Sequence, residues 1–170
     1  MDVRAVFGIN VAMSLIASGI AARLLVWPRL QTIERSRALI TLVAPQMFLR
    51  FIGLSFLVPG VVSPSLPAAF AVPAAYGDFV AGVLAMVATV ALVSQASLAR
   101  SAVWLFNVWG AADLIFAFYH GQRVQLDPGS LGAAYFIVTA AVPVLLVMHF
   151  LIFALLASPA RVLKTSERVA

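Results

Sequence analysis

The sequence predicts an all-α integral membrane bundle of five transmembrane helices, with the N-terminus outside and the C-terminus cytoplasmic. Three observations carry this. Of 170 residues, 64% are hydrophobic and 10% charged, against about 45–50% and about 25% in soluble domains. Five apolar runs are each long enough for a hydrocarbon core of about 30 Å, which takes about 20 helical residues. Basic residues then alternate from one connection to the next, as membrane topology requires.

The first span covers residues 5–27 and ends at Trp27-Pro28. A cleaved signal peptide is the competing reading. It is disfavoured because the run is longer than a usual h-region and more charge follows it than precedes it. The second span covers 39–60 and holds Pro45. The third covers about 74–95, the fourth about 102–120, and the fifth about 131–157, ending before Ser158-Pro159. Pro45 and Pro143 free the carbonyls of Thr41 and Thr139, which predicts two kinks. The 61–73 connection, VVSPSLPAAFAVP, has three prolines and no charge, so it reads as an extended linker or lid at the outer interface. The 121–130 connection is a polar turn ending in Asp127-Pro128-Gly129. The chain forms one domain, 1–170.

With five spans, one side collects Arg29, Arg35, Arg37, Arg100, Arg161, Lys164 and Arg168. The other side has Arg4 and Arg123. The positive-inside rule then fixes the orientation, in a bacterial inner (plasma) membrane. The net charge of +5 follows from this topology and does not indicate nucleic acid. The tail, 161–170, serves orientation. With no cysteine, disulfides, thiolate metal sites and cysteine nucleophiles are excluded.

Arg50 is the anomaly, a guanidinium in the middle of an apolar run. It cannot be neutralised, and at mid-bilayer it costs roughly 2.5–3.5 kcal/mol on insertion scales. Counting 1.5 Å per residue, Arg50 and Asp113 each lie about 18 Å from the inner boundary. Asp78 enters from the outside within about 5 Å of that level. The three are expected to form one polar layer, with Gln46 and His149 as secondary members.

Small and polar residues share these helical faces. They are Gln46 and Gly53 with Arg50; Gly82, Ala85 and Thr89 with Asp78; and Gly110, Ala117 and His120 with Asp113. On the first span the stripe is Asn10, Ser14, Ala17 and Ala21. Asn107 lies about 120° from Asp113 around its helix and is placed outside the site. His149 lies ~13 Å from its inner end, a different depth from the carboxylates, so a shared metal site or acid–base pair is not expected. His120, Arg123 and Asp127 read as a solvated outer rim, and Trp109 as a ring beside the polar layer.

The stretch FLRFIGLSFLVPG, then PAAYGDFVAGVLAMVATVAL and WLFNVWGAADLIFAFYHG, resembles small bacterial integral membrane proteins of uncharacterised type. It is more weakly similar to DoxX-like proteins, through the Tyr76-Gly77 opening of one span and the Gly121 end of the next. That likeness implies a helical membrane bundle. DoxX-like proteins have four spans where this chain has five, and no activity is carried over from them.

No catalytic motif, cofactor or metal is implied. The expected function is binding of a small molecule or lipid in the bilayer, with Arg50 holding an apolar ligand's anionic or carbonyl end and Asp113 poising it. The alternative is a structural or accessory subunit of a membrane complex, in which the ion pair only sets helix register and the partner is another membrane protein or a second copy.

Overall fold

The computed structural model describes residues 2–158. The tail 161–170, assigned above to orientation, lies outside them. Five helical segments form the protein: α1 (Val3–Leu30), α2 (Arg35–Leu57), α3 (Ala68–Val93), α4 (Ala99–Arg123) and α5 (Ile137–Ala157). Each is long and apolar enough to cross a membrane. No strand occurs among the described residues.

The helices alternate in direction. Arg35 at the start of α2 donates to the Ser158 carbonyl just past α5. Arg100 at the start of α4 donates to the Leu156 carbonyl over 3.1 Å. At the other end, Asn10 of α1 donates its amide to Tyr135 Oη, before α5, over 2.8 Å. The start of α3 and the end of α4 meet there too, through Ala69 and His120. One end of the bundle therefore holds Arg35 and Arg100, and the other holds the N-terminus.

Proline shapes the helices, in ways that alter several boundaries. α1 continues through Pro28 to Leu30 where an end at Trp27 was expected, because a π-helical turn, Ala22–Val26, precedes the proline. A second π turn, Ile137–Ala141, precedes Pro143, so the anticipated kink takes that form. A π turn accommodates a residue with no N–H to give to the regular ladder. Pro45 breaks α2 after Val43, and the chain resumes as a short α turn. From Arg50 to Leu57 it is 3₁₀ helix. Eight residues is long for this geometry. Its three-residue period puts Arg50, Gly53 and Phe56 on one buried face.

The connection before α3 is shorter than the 61–73 segment. Helix begins at Ala68, so Pro73 lies inside α3. Pro73 has no N–H for the Ala69 carbonyl four residues earlier. His120 Nε2 fills that vacancy over 2.9 Å. A carbonyl only accepts, so this nitrogen carries the proton. His120, half-buried at this outer end, is thus also a helix-to-helix bond, and it stacks on Phe116. The remaining loop is pinned to the 3₁₀ segment Pro128–Ala134 by Ser63 N–H to the Ser130 carbonyl and Ala133 N–H to the Val61 carbonyl. Gly132 allows that approach. Its φ is +55°, and a Cβ there would strike the Val61 carbonyl oxygen.

Two apolar clusters fill the ends of the bundle. Leu39, Leu42, Ala85, Val103, Phe106 and Ile152 pack at the Arg35/Arg100 end. Phe56, Phe70, Ala75, Leu131, Ala134 and Val138 pack at the N-terminal end. The predicted α3 face is buried as a unit: Asp78, Gly82, Ala85 and Thr89. α1 differs. No residue from Val3 to Ala21 is buried, and Asn10 and Ala17 of its expected inner stripe are exposed. α1 rests against α5 and its approach segment. This leaves its flank free to wall a cavity.

The Pro73–His120 link is testable. His120→Phe leaves a carbonyl without its donor and should cost about 1–3 kcal/mol, seen as a lower melting temperature in detergent. Adding Pro73→Ala restores the missing N–H and should recover most of that loss. Independent, additive effects would contradict the link.

Candidate functional site

Arg50 reaches the site from the first residue of the 3₁₀ segment and has no exposed surface. Its Nη1 donates to Asp78 Oδ1 at 2.6 Å and to Asp113 Oδ2 at 3.1 Å. Its Nη2 donates to the Gly110 carbonyl and to His149 Nε2, each at 2.7 Å. One side chain from α2 thus binds α3, α4 and α5. Arg50 Nε has no partner.

These bonds fix the histidine. A guanidinium only donates, so His149 Nε2 must accept and Nδ1 must carry the proton. Nδ1 then donates to Asn107 Oδ1 at 2.7 Å, and the Asn107 amide donates back to the His149 carbonyl at 3.2 Å. His149 is therefore a neutral acceptor for Arg50, oriented by Asn107.

Three glycines make the room. A Cβ on Gly53 would collide with the Asp78 carboxylate, and one on Gly77 with Asp113 Oδ1. A Cβ on Gly110 would lie 2.7 Å from Arg50 Nη2 and 2.6 Å from the His149 ring. Trp109 Nε1 donates to the Gly77 carbonyl at 3.3 Å, bracing α3 next to Asp78.

A cavity of about 560 Å³ reaches this centre from the N-terminal end of the bundle. Asp78 and Asp113 line it, and Arg50 stands behind them outside the lining. Its apolar walls include Phe7, Val11 and Leu15 of α1, with Phe56, Phe70 and Phe118 opposite. Arg4, Gln122 and Gln125 lie toward the other end. Asp78 Oδ2 and Asp113 Oδ1 receive no hydrogen bond among the described residues. Neither is among the enclosed orphan atoms, which are Gln46 Oε1, Arg50 Nε, Ser55 Oγ and Thr89 Oγ1. The open side of each carboxylate is therefore not sealed in protein.

Residues 6–157 match the model of a family described as Domain of unknown function (DUF8737). The chain belongs to that family. No curated protein and no solved structure matches it. In this DUF8737 member the description of the family supplies no activity, so chemistry has to come from the centre itself.

The structure brings Arg50, Asp113, Asp78 and His149 together. His149 corrects the depth estimate. It shares Arg50 with both aspartates, because the arginine chain spans the separation that helix rise alone implies. Asn107 is a second correction, entering the site through His149 rather than beside Asp113. Gln46 is fully buried a turn from Arg50 but bonds the Leu42 carbonyl at 3.4 Å and not the arginine. Arg50 sits between His149 and the carboxylates. Among the described residues no three His or acidic groups are placed to share a metal ion.

The glycine requirement gives a sharp expectation. Gly77→Ala forces Asp113 off its bond to Arg50 and should destabilise by at least about 1–3 kcal/mol, the usual cost of overpacking. Gly19→Ala, with open space around its Cβ, should not lower the melting temperature. Equal melting of the two variants would refute this packing.

Proposed function

We propose that this protein is a multi-pass protein of the bacterial plasma membrane that binds a small molecule or lipid inside the bilayer. The N-terminus faces outside. The observation that carries the reading is the cavity of about 560 Å³ with two carboxylates at its inner end. Its volume is in the range of pockets that enclose drug-sized ligands, about 300–1,000 Å³. Apolar walls with a few convergent polar groups are also the usual composition of such sites. Intramembrane ionisable groups lining a cavity favour function over packing.

The orientation rests on charge. Arg29, Arg35, Arg37 and Arg100 fall at one end and Arg4 and Arg123 at the other, so the cavity opens toward the outer half of the membrane. Arg50 itself is spent. Both terminal nitrogens are engaged and it lies outside the cavity lining. Its role in binding is to hold Asp78 and Asp113 in place, not to grip an anionic ligand directly.

One observation favours the second reading, a subunit whose ion pair only sets register: Arg50 joins α2 to three other helices. If that were its whole role, an Arg50→Asp/Asp113→Arg exchange would recover all function along with expression.

Mass spectrometry of protein extracted in mild detergent separates the readings. The native chain should carry a small molecule or lipid of defined mass. Ala117→Trp, which fills the cavity from α4, should melt within a few degrees of the native chain and carry none. A native chain with no such species, or a variant that keeps it, would defeat the binding reading.

A further inference from the structure

The cavity is electrically lopsided, and this names the chemistry of its ligand. Arg50 supplies one positive charge to two carboxylates within 3.1 Å. His149 contributes none, since its Nε2 accepts from Arg50 and its proton sits on Nδ1 facing Asn107. The ionised centre therefore carries one uncompensated negative charge in an apolar surrounding. Such a charge is strongly unfavourable unless a proton or a cationic group balances it.

The carboxylates that carry the unpaired charge border the cavity. Asp78 Oδ2 and Asp113 Oδ1 are the oxygens Arg50 does not use. Both residues line the cavity, and Asp78 is 94% buried, being 6% exposed. Among the described residues Arg4 is the one other charged residue of the lining, and it is the second residue of α1. Gln122, at the Arg4 end, lies nine positions beyond Asp113 on α4, about 14 Å of helix rise. Between these ends the wall is aromatic and aliphatic. The cavity thus has a negative inner end, an apolar middle and a positive, amide-lined mouth.

Resting on the binding function proposed above, we infer that the ligand is an amphiphile with a protonated amine at its buried end. The ammonium pairs with the Asp78 and Asp113 carboxylates where they line the cavity and completes the charge balance of the Arg50 centre. Its apolar body fills the segment between α1 and α4, and its far end meets Arg4, Gln122 and Gln125. An anionic head in the same place would face two carboxylates with their guanidinium behind them. No bond is made or broken in this step.

The native chain has no cysteine, so a single thiol reports cleanly. Ala117→Cys, in the cavity wall, is reacted with N-ethylmaleimide in lipid nanodiscs. Dodecylamine, dodecanol and dodecanoate are compared as protecting probes. Dodecylamine should slow labelling at concentrations about tenfold to a hundredfold below those needed for the other two, the worth of one charge-assisted hydrogen bond. Adding Asp113→Asn should remove most of that preference. Should this variant misfold, the three probes on Ala117→Cys alone still decide. Equal protection by all three would mean that a proton on one aspartate already balances the centre, and would overturn the amine assignment while leaving the binding function intact. Stronger protection by dodecanoate would overturn it too. The binding function itself stands or falls separately, on the species carried by the native chain.

Discussion

A guanidinium without exposed surface in the middle of five apolar helices must find its acceptors inside the protein. Arg50 finds four, drawn from three other helices. Much of the bundle follows from that demand. Two carboxylates must come to the same level. A backbone carbonyl must turn inward at Gly110. A histidine must be held in the tautomer that accepts, which is what Asn107 does. The hub and the close packing around it position α2 against α3, α4 and α5.

The same demand explains the small residues and the long 3₁₀ run. Gly53, Gly77 and Gly110 are each the only side chain size that fits beside the charged groups. The 3₁₀ period aligns Gly53 with Arg50 and carries Phe56 on to the wall of the cavity. Arg50 does not reach α1, and α1 buries none of its first nineteen residues. The helix left out of the polar hub forms one wall of the cavity. The carboxylates are held by the hub, whereas α1 packs loosely beside the cavity.

Much of this was legible in the sequence, and the reasons for the rest are specific. Arg50 stood out because no neutral form is open to it, and helix rise alone matched it to Asp113 and brought Asp78 within reach. His149 was misplaced because rise measures backbone depth, whereas an arginine head can lie several ångströms from its own Cα. Asn107 was excluded by its angle from Asp113 on one helix, yet its partner sits on another. Pro73 inside α3 was hidden because a proline-rich stretch reads as a loop until a donor such as His120 repairs the gap. The cavity had no sequence signature, since it exists where α1 fails to pack.

The central claim is that Arg50 is required because two carboxylates are there, and that the three act as one unit. Chemical denaturation in a fixed detergent, comparing Arg50→Met with Arg50→Met/Asp78→Asn/Asp113→Asn, tests it most directly. Removing the arginine alone strands two buried carboxylates and should cost about 3–5 kcal/mol, while neutralising all three together should recover most of that loss. A single variant as stable as the native chain, or a triple variant no more stable than the single one, would contradict the account.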